Sequence, residues 1–139
     1  MIFMSVEENK ALVHRLFEAW NTGNMDLIDE LLIPDYVDND ALPSQTQGLE
    51  GYKQIGAYLL SVFPDMKMTI DDLIAEGDKV VVRSTFSGTH KGEFMGITPT
   101  GKKITTTAIN IYRIADGKLI EEWSGRRRSS PDLVELLKD

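Results

Sequence analysis

The sequence contains no cysteine, which excludes disulfide bridges, thiolate metal sites and cysteine nucleophiles. Histidine is scarce too: His14 and His90 are the only two and lie far apart, so no histidine-rich metal cluster is expected. Carboxylates are plentiful but show no calcium-loop spacing, and the reading is of a protein with neither metal nor cofactor. Positive charge is in the minority, with 15 Lys and Arg against 22 Asp and Glu and a net charge of −7. That balance disfavours nucleic acid, whose binding draws most of its affinity from neutralising phosphates. No apolar run approaches the ~20 residues needed to span a bilayer. Met1-Ile2-Phe3-Met4 runs straight into acidic residues with no basic segment, so no signal peptide is expected and the cytoplasm is the default location. What remains is ordinary: 139 residues, 42% apolar and 27% charged, read as one domain over 1–139.

The first third of the chain has helical periodicity. Ser5-Val6-Glu7-Glu8 has capping-box spacing, and the helix after it puts Leu12, Leu16, Phe17 and Trp20 on one stripe. Glu7, Lys10, His14 and Glu18 fall on the opposite face, which places His14 in water. Gly23 suits a left-handed cap, and Asn24 starts a short second helix with Leu27, Ile28, Leu31 and Leu32 inward, stopped by Pro34. Tyr36-Val37 reads as a brief strand that leaves Asp38, Asn39 and Asp40 at its end. A third helix covers Leu49 to Phe63, with Tyr52, Ile55 and Leu59 inward.

From Met66 the period changes to two. Strands are expected from Met66 to about Ile74, over Lys79–Ser87 and Lys103–Ile114, and over Leu119–Trp123. Asp116-Gly117 is a hairpin turn signal. Ser130-Pro131 opens a last short helix with Leu133, Leu136 and Leu137. The fold class is therefore α+β: helices first, then an antiparallel meander.

The loop from Gly88 to Lys102 holds four glycines, Pro99 and His90, and its Phe94, Met95 and Ile97 have little use in a solvated linker. We read it as one wall of an internal pocket, formed where helices lie across a curled sheet and leave a cone. Both parities are apolar along Val80-Val81-Val82, so the outer sheet face also needs cover, most economically a second copy of the chain.

Trp20-Asn21-Thr22-Gly23-Asn24, Phe63-Pro64-Asp65, Glu76-Gly77-Asp78-Lys79-Val80 and Gly88-Thr89-His90 resemble the SnoaL-like polyketide cyclase family. So do Pro99-Thr100-Gly101-Lys102, Ile111-Tyr112-Arg113 and the run from Asp116 to Trp123, in the same order over nearly the whole chain. The resemblance implies the cone-shaped barrel of the nuclear transport factor 2-like superfamily, three N-terminal helices on a curved, mostly antiparallel sheet, and a homodimer. It implies an intramolecular aldol ring closure, or a related isomerase or lyase reaction, without metal or cofactor. The family pattern has an aspartate acid/base four residues beyond the tryptophan and a histidine just before it; here these positions hold Arg127 and Glu122. A histidine and an aspartate of the pattern are replaced by Asn39 and Asn110.

Two groups are left as candidate acid/base residues. His90 either titrates near neutrality as a base or ties its loop together. Glu122 would have a raised pKa in an apolar cone, as a base needs. Asn39, Asn110 and the phenols of Tyr36, Tyr52 and Tyr58 could polarise a carbonyl or serve as structural partners. Trp20, Phe94 and Trp123 offer apolar or stacking surface to a small apolar or aromatic ligand. Arg83 could form a buried ion pair with Glu122 or Asp38. Arg126-Arg127-Arg128 is either a solvated run or an anion-binding lip, with Arg127 touching the ligand. Three readings follow: a cofactor-independent cyclase or isomerase, a non-catalytic ligand-binding module, and a dimerisation module with an incidental pocket.

Overall fold

The computed structural model describes residues 5–41, 45–125 and 133–137. Helix α1 (Val6–Thr22) starts with the expected reciprocal capping box between Ser5 and Glu8 and is closed by Gly23. Its apolar stripe is buried, including Leu12, Leu16, Phe17 and Trp20, while His14 is exposed. The second helix differs from expectation. Asn24 caps a single 3₁₀ turn, Met25–Leu27, which runs into a four-residue α2, Ile28–Leu31. Leu32 is the first residue of a strand, because it pairs with Leu119, and strand pairing outweighs local helical preference there.

Strand β1 (Leu32–Asp38) is thus longer than the Tyr36-Val37 pair expected, and contains Pro34. An edge position makes the proline tolerable, since one side of the strand has no ladder to interrupt. Helix α3 (Gly48–Val62) precedes β2 (Lys67–Glu76), β3 (Lys79–Thr89), β4 (Lys103–Ala115) and β5 (Lys118–Gly125). The turn between β4 and β5 has both Asp116 and Gly117 at positive φ (50° and 76°), the backbone that an Asp-Gly hairpin supplies. A short α4 (Leu133–Leu137) follows.

The sheet order is β1-β5-β4-β3-β2, antiparallel except for the parallel β1–β5 edge. The sheet stays open, and α1 packs on β2 and β3 while α3 packs on β1. The core lies between these helices and the inner sheet face, where Val80, Val82, Ile104, Tyr112, Ile114 and Leu119 meet the helical stripes. This is the expected α+β cone. Strand alternation sends the other set outward: Ile74, Val81, Ile111 and Trp123 are paired in turn across β2, β3, β4 and β5. Arg83 belongs to this outer face as well. It is exposed and bonded to Asp72 at 2.6 Å, so the buried pair with Glu122 or Asp38 does not form. No described helix is long and apolar enough to cross a membrane.

Candidate active site

The wide end of the cone encloses a cavity of about 610 Å³. Its helical wall is Phe17 and Trp20 from α1 and Tyr52, Ile55 and Leu59 from α3. Met68 of β2, Phe94 and Met95 of the 88–102 loop, and Val134 of α4 add apolar surface. The polar floor comes from the sheet. Asn110 and Tyr112 face inward from β4, and Glu122 and Ser124 from β5. Asp38, Asp40 and Gln45, at and beyond the end of β1, complete the rim.

Register explains why these side chains meet. Tyr112 and Asp38 are the cross-strand partners of Glu122 on either side, and Asn110 is the partner of Ser124. Glu122 is 5% exposed. Its Oε1 accepts from the Tyr36 hydroxyl at 3.1 Å, and its Oε2 lies 3.5 Å from the Asn110 amide nitrogen. Burial, reinforced by the neighbouring charge of Asp38 and then of Asp40, pushes the carboxyl up from 4.5 to about 8, against the hydrogen bond from Tyr36. Around neutral pH this carboxyl carries a proton part of the time. That is the condition for a group that must both take and return one.

Two phenols present hydrogen-bond donors to the same space. The Trp20 indole N–H donates to Tyr52 Oη at 2.8 Å, and the Asn110 amide donates to Tyr112 Oη at 3.1 Å. Indole nitrogen can only donate, so Tyr52 accepts there, and its own proton has no acceptor among the described residues. Tyr112 stands in the same relation to Asn110. Burial, with Glu122 adding, pushes both phenols well above the ordinary range, so both stay protonated.

Five residues singled out from sequence line the cavity: Trp20, Tyr52, Phe94, Asn110 and Glu122. Tyr36 lies behind it, 1% exposed, bonded to Glu122 and packed edge-on against Tyr52 at 5.5 Å. Four others are placed elsewhere. His90 is fully buried at the base of its loop, where Nδ1 accepts from the Thr100 amide (3.2 Å) and contacts the Thr100 hydroxyl (3.0 Å). Its Nε2 has no partner among the described residues, and its ring sits by Phe63. It closes the loop and is not among the residues that line the cavity, which agrees with the second of its two sequence readings, a ring that ties the loop together. Trp123 points to the outer sheet face, because it follows Glu122 in a regular strand. Asn39 is spent on the Glu121 carboxylate and the Glu122 carbonyl. Tyr58 holds the outside of the loop, accepting from Met95 N and donating to Glu93 O. Arg127, with Arg126 and Arg128, lies outside the described residues. Tyr112 and Asp38 were given no site role from sequence; the parity of Glu122, once its strand neighbours were known, is the signal that finds them.

The cone-shaped α+β fold is that of the nuclear transport factor 2-like class. Comparison with known proteins narrows this. The profile of the SnoaL-like polyketide cyclase family matches residues 10–138, and the chain belongs to that family. It is 29% identical over 116 residues to the aklanonic acid methyl ester cyclase AcmA of Streptomyces galilaeus, covering 82% of this chain and 81% of that protein. It is 27% identical over 106 residues to the nogalonic acid methyl ester cyclase of Streptomyces nogalater, covering 75% and 79%. Among solved structures, TsrD from Streptomyces laurentii matches with a TM-score of 0.83 at 31% identity over 96% of this chain and 94% of that one.

Proposed function

We propose that the chain is a cofactor-independent polyketide cyclase that closes a ring by an intramolecular aldol step on a flat, carbonyl-bearing, largely apolar substrate. The observation that carries the reading is Glu122, a carboxyl poised near neutrality inside a cavity that also holds two phenols whose protons have no acceptor among the described residues. The Glu122 carboxylate takes a proton from carbon next to a carbonyl, and the electron pair moves onto that carbonyl oxygen. Tyr112 or Tyr52 donates a hydrogen bond to the resulting enolate oxygen. The enolate carbon then forms a bond to a second carbonyl carbon of the same molecule. The alkoxide produced takes the proton back from Glu122. Proton and electrons both balance within the substrate and one side chain, so the scheme needs no oxidant or reductant. The same reading places the chain in the cytoplasm as a homodimer joined through the outer sheet face.

The test uses the methyl esters of aklanonic acid and nogalonic acid, after which two relatives are named. Incubation is expected to give a product of unchanged mass and altered retention, and substrate deuterated at the attacking carbon should lose one deuterium from that carbon as the ring closes. Glu122→Gln should lower the rate by about 10²-fold or more. Saturable binding with no isomerised product, in wild type as in the variant, would replace this reading with the non-catalytic binding module.

A further inference from the structure

Glu122 presents two oxygens in unlike surroundings. Oε1 is bonded to the hydroxyl of Tyr36, a residue that lines no part of the cavity and is 1% exposed. Oε2 lies on the Asn110 side, and both Asn110 and Glu122 line the cavity. Tyr36 itself is held from behind. Its ring packs edge-on against Tyr52, which packs edge-on against Trp20 and accepts that residue's indole N–H. A hydroxyl clamped in this way cannot swing to a ligand, and no other described acceptor competes for its proton. Among the described residues its hydroxyl donates to the carboxyl it faces.

We infer that Tyr36 is a positioning residue. Its hydroxyl holds Oε1 of Glu122 in place, leaves Oε2 as the oxygen presented to the cavity, and sets the pH range over which the carboxyl is ionised. A donor on Oε1 stabilises the charged form, opposing the burial and the two aspartates that disfavour it. The titratable groups that face Glu122 are Tyr36 and Asp38 from β1, Asp40 beyond it, Tyr52 from α3 and Tyr112 from β4. Asp38 and Asp40 raise the carboxyl's midpoint, and Tyr36 is the one phenol of this group bonded to it. Burial raises the carboxyl most, the two aspartates add to it, and the Tyr36 hydrogen bond acts in the opposite direction.

The experiment follows the carboxyl itself and needs no substrate. Protein labelled with ¹³C at the glutamate carboxyls is titrated by NMR, and the signal absent from Glu122→Gln is assigned to Glu122. In Tyr36→Phe, which removes one oxygen, the Glu122 midpoint is expected to rise by about one pH unit. A lowered melting temperature with an unmoved midpoint would show that the ring only fills space, and would overturn the inference. A measurement on wild type guards against a misfolded variant. With ¹³C at tyrosine Cζ, the Tyr36 signal should shift with the same midpoint as the Glu122 carboxyl; a Tyr36 signal indifferent to that titration also overturns it. Only the kinetic arm rests on the proposed cyclase reading. If aklanonic acid methyl ester is turned over, the low-pH limb of its rate profile should move up with the NMR midpoint, and an unmoved limb counts against Tyr36. Absence of turnover would defeat the cyclase reading while the two titrations still decide the role of Tyr36.

Discussion

A carboxyl kept protonated near neutral pH works against the fold that keeps it so. In an unfolded chain Glu122 would ionise near 4.5, and in the cavity it does so at about 8. Between those values the native protein binds more protons than the unfolded one, so stability is full below about 4.5 and declines as pH rises to about 8. The interval corresponds to an upper bound of roughly 4 to 5 kcal/mol, of which relaxation and water entry would leave a few. Glu122→Gln should therefore give a protein more stable than wild type above pH 8, with little difference at pH 4.5, while its turnover falls. Thermal melts of both proteins at pH 5 and pH 8.5 measure this, and parallel pH dependences would mean that the carboxyl is not buried as described. The phenols separate chemistry from packing in another way. Tyr112→Phe keeps the ring and removes the hydroxyl, both its free proton and its acceptance from Asn110, so the turnover number should drop about ten-fold or more with a modest change in melting temperature. If instead only KM rises, Tyr112 binds substrate without stabilising the enolate.

The loop between β3 and β4 shows what an element can hide from sequence. From sequence it reads as one wall of a pocket, with His90 either a base or a tie for the loop. In the structure His90 N donates to Lys102 O and Gly101 N donates to His90 O, so the loop is closed like a hairpin at its base. Lys91 N and Gly92 N both donate to Val62 O, which stitches it to the end of α3. Gly92 is required by this closeness: a Cβ there would lie 2.4 Å from Ser61 O. His90→Ala should thus cost about 2 to 3 kcal/mol of stability through the lost ring and its bonds to Thr100, and leave the Glu122 midpoint unmoved. A shifted midpoint at normal stability would return His90 to the catalytic site. The α1 stripe, the capping box, the Asp-Gly hairpin and the strand alternation were legible because each depends on neighbours within a few residues. The parallel β1–β5 pairing, which brings Asp38 and Tyr36 to Glu122 across more than 80 residues, leaves no local mark. Trp123 could have been placed from sequence, since adjacent residues of one strand cannot both face the cavity, and Glu122 has the stronger claim.

The whole molecule leaves one surface unexplained by its own packing. Across the outer sheet face the apolar row Ile74, Val81, Ile111 and Trp123 runs from β2 to β5 without a polar interruption. Ile74 is 63% exposed, and Ile109 and Val37 of the same face are 46% and 42% exposed. Beside the row runs a second one of charged residues, Glu76, Lys79, Arg113 and Glu121, also paired strand to strand. A continuous apolar band edged by charges of both signs has the anatomy of an interface core and rim. The charged row runs minus, plus, plus, minus, so a two-fold axis through its middle would set like charges opposite each other, and opposite signs meet only when the axis is displaced towards one end of the row. A stable dimer of this kind buries about 800 Å² on each partner, an area that a five-stranded sheet face can supply. Trp123→Glu places a charge in the middle of the band and touches nothing in the cavity. Sedimentation velocity should find the wild type as a dimer at micromolar concentration and the variant as a monomer, with the Glu122 titration unchanged. A wild-type chain that sediments as a monomer at every concentration would remove the homodimer from the proposed function and leave the cavity chemistry standing. A dimer that survives Trp123→Glu would move the contact to another face.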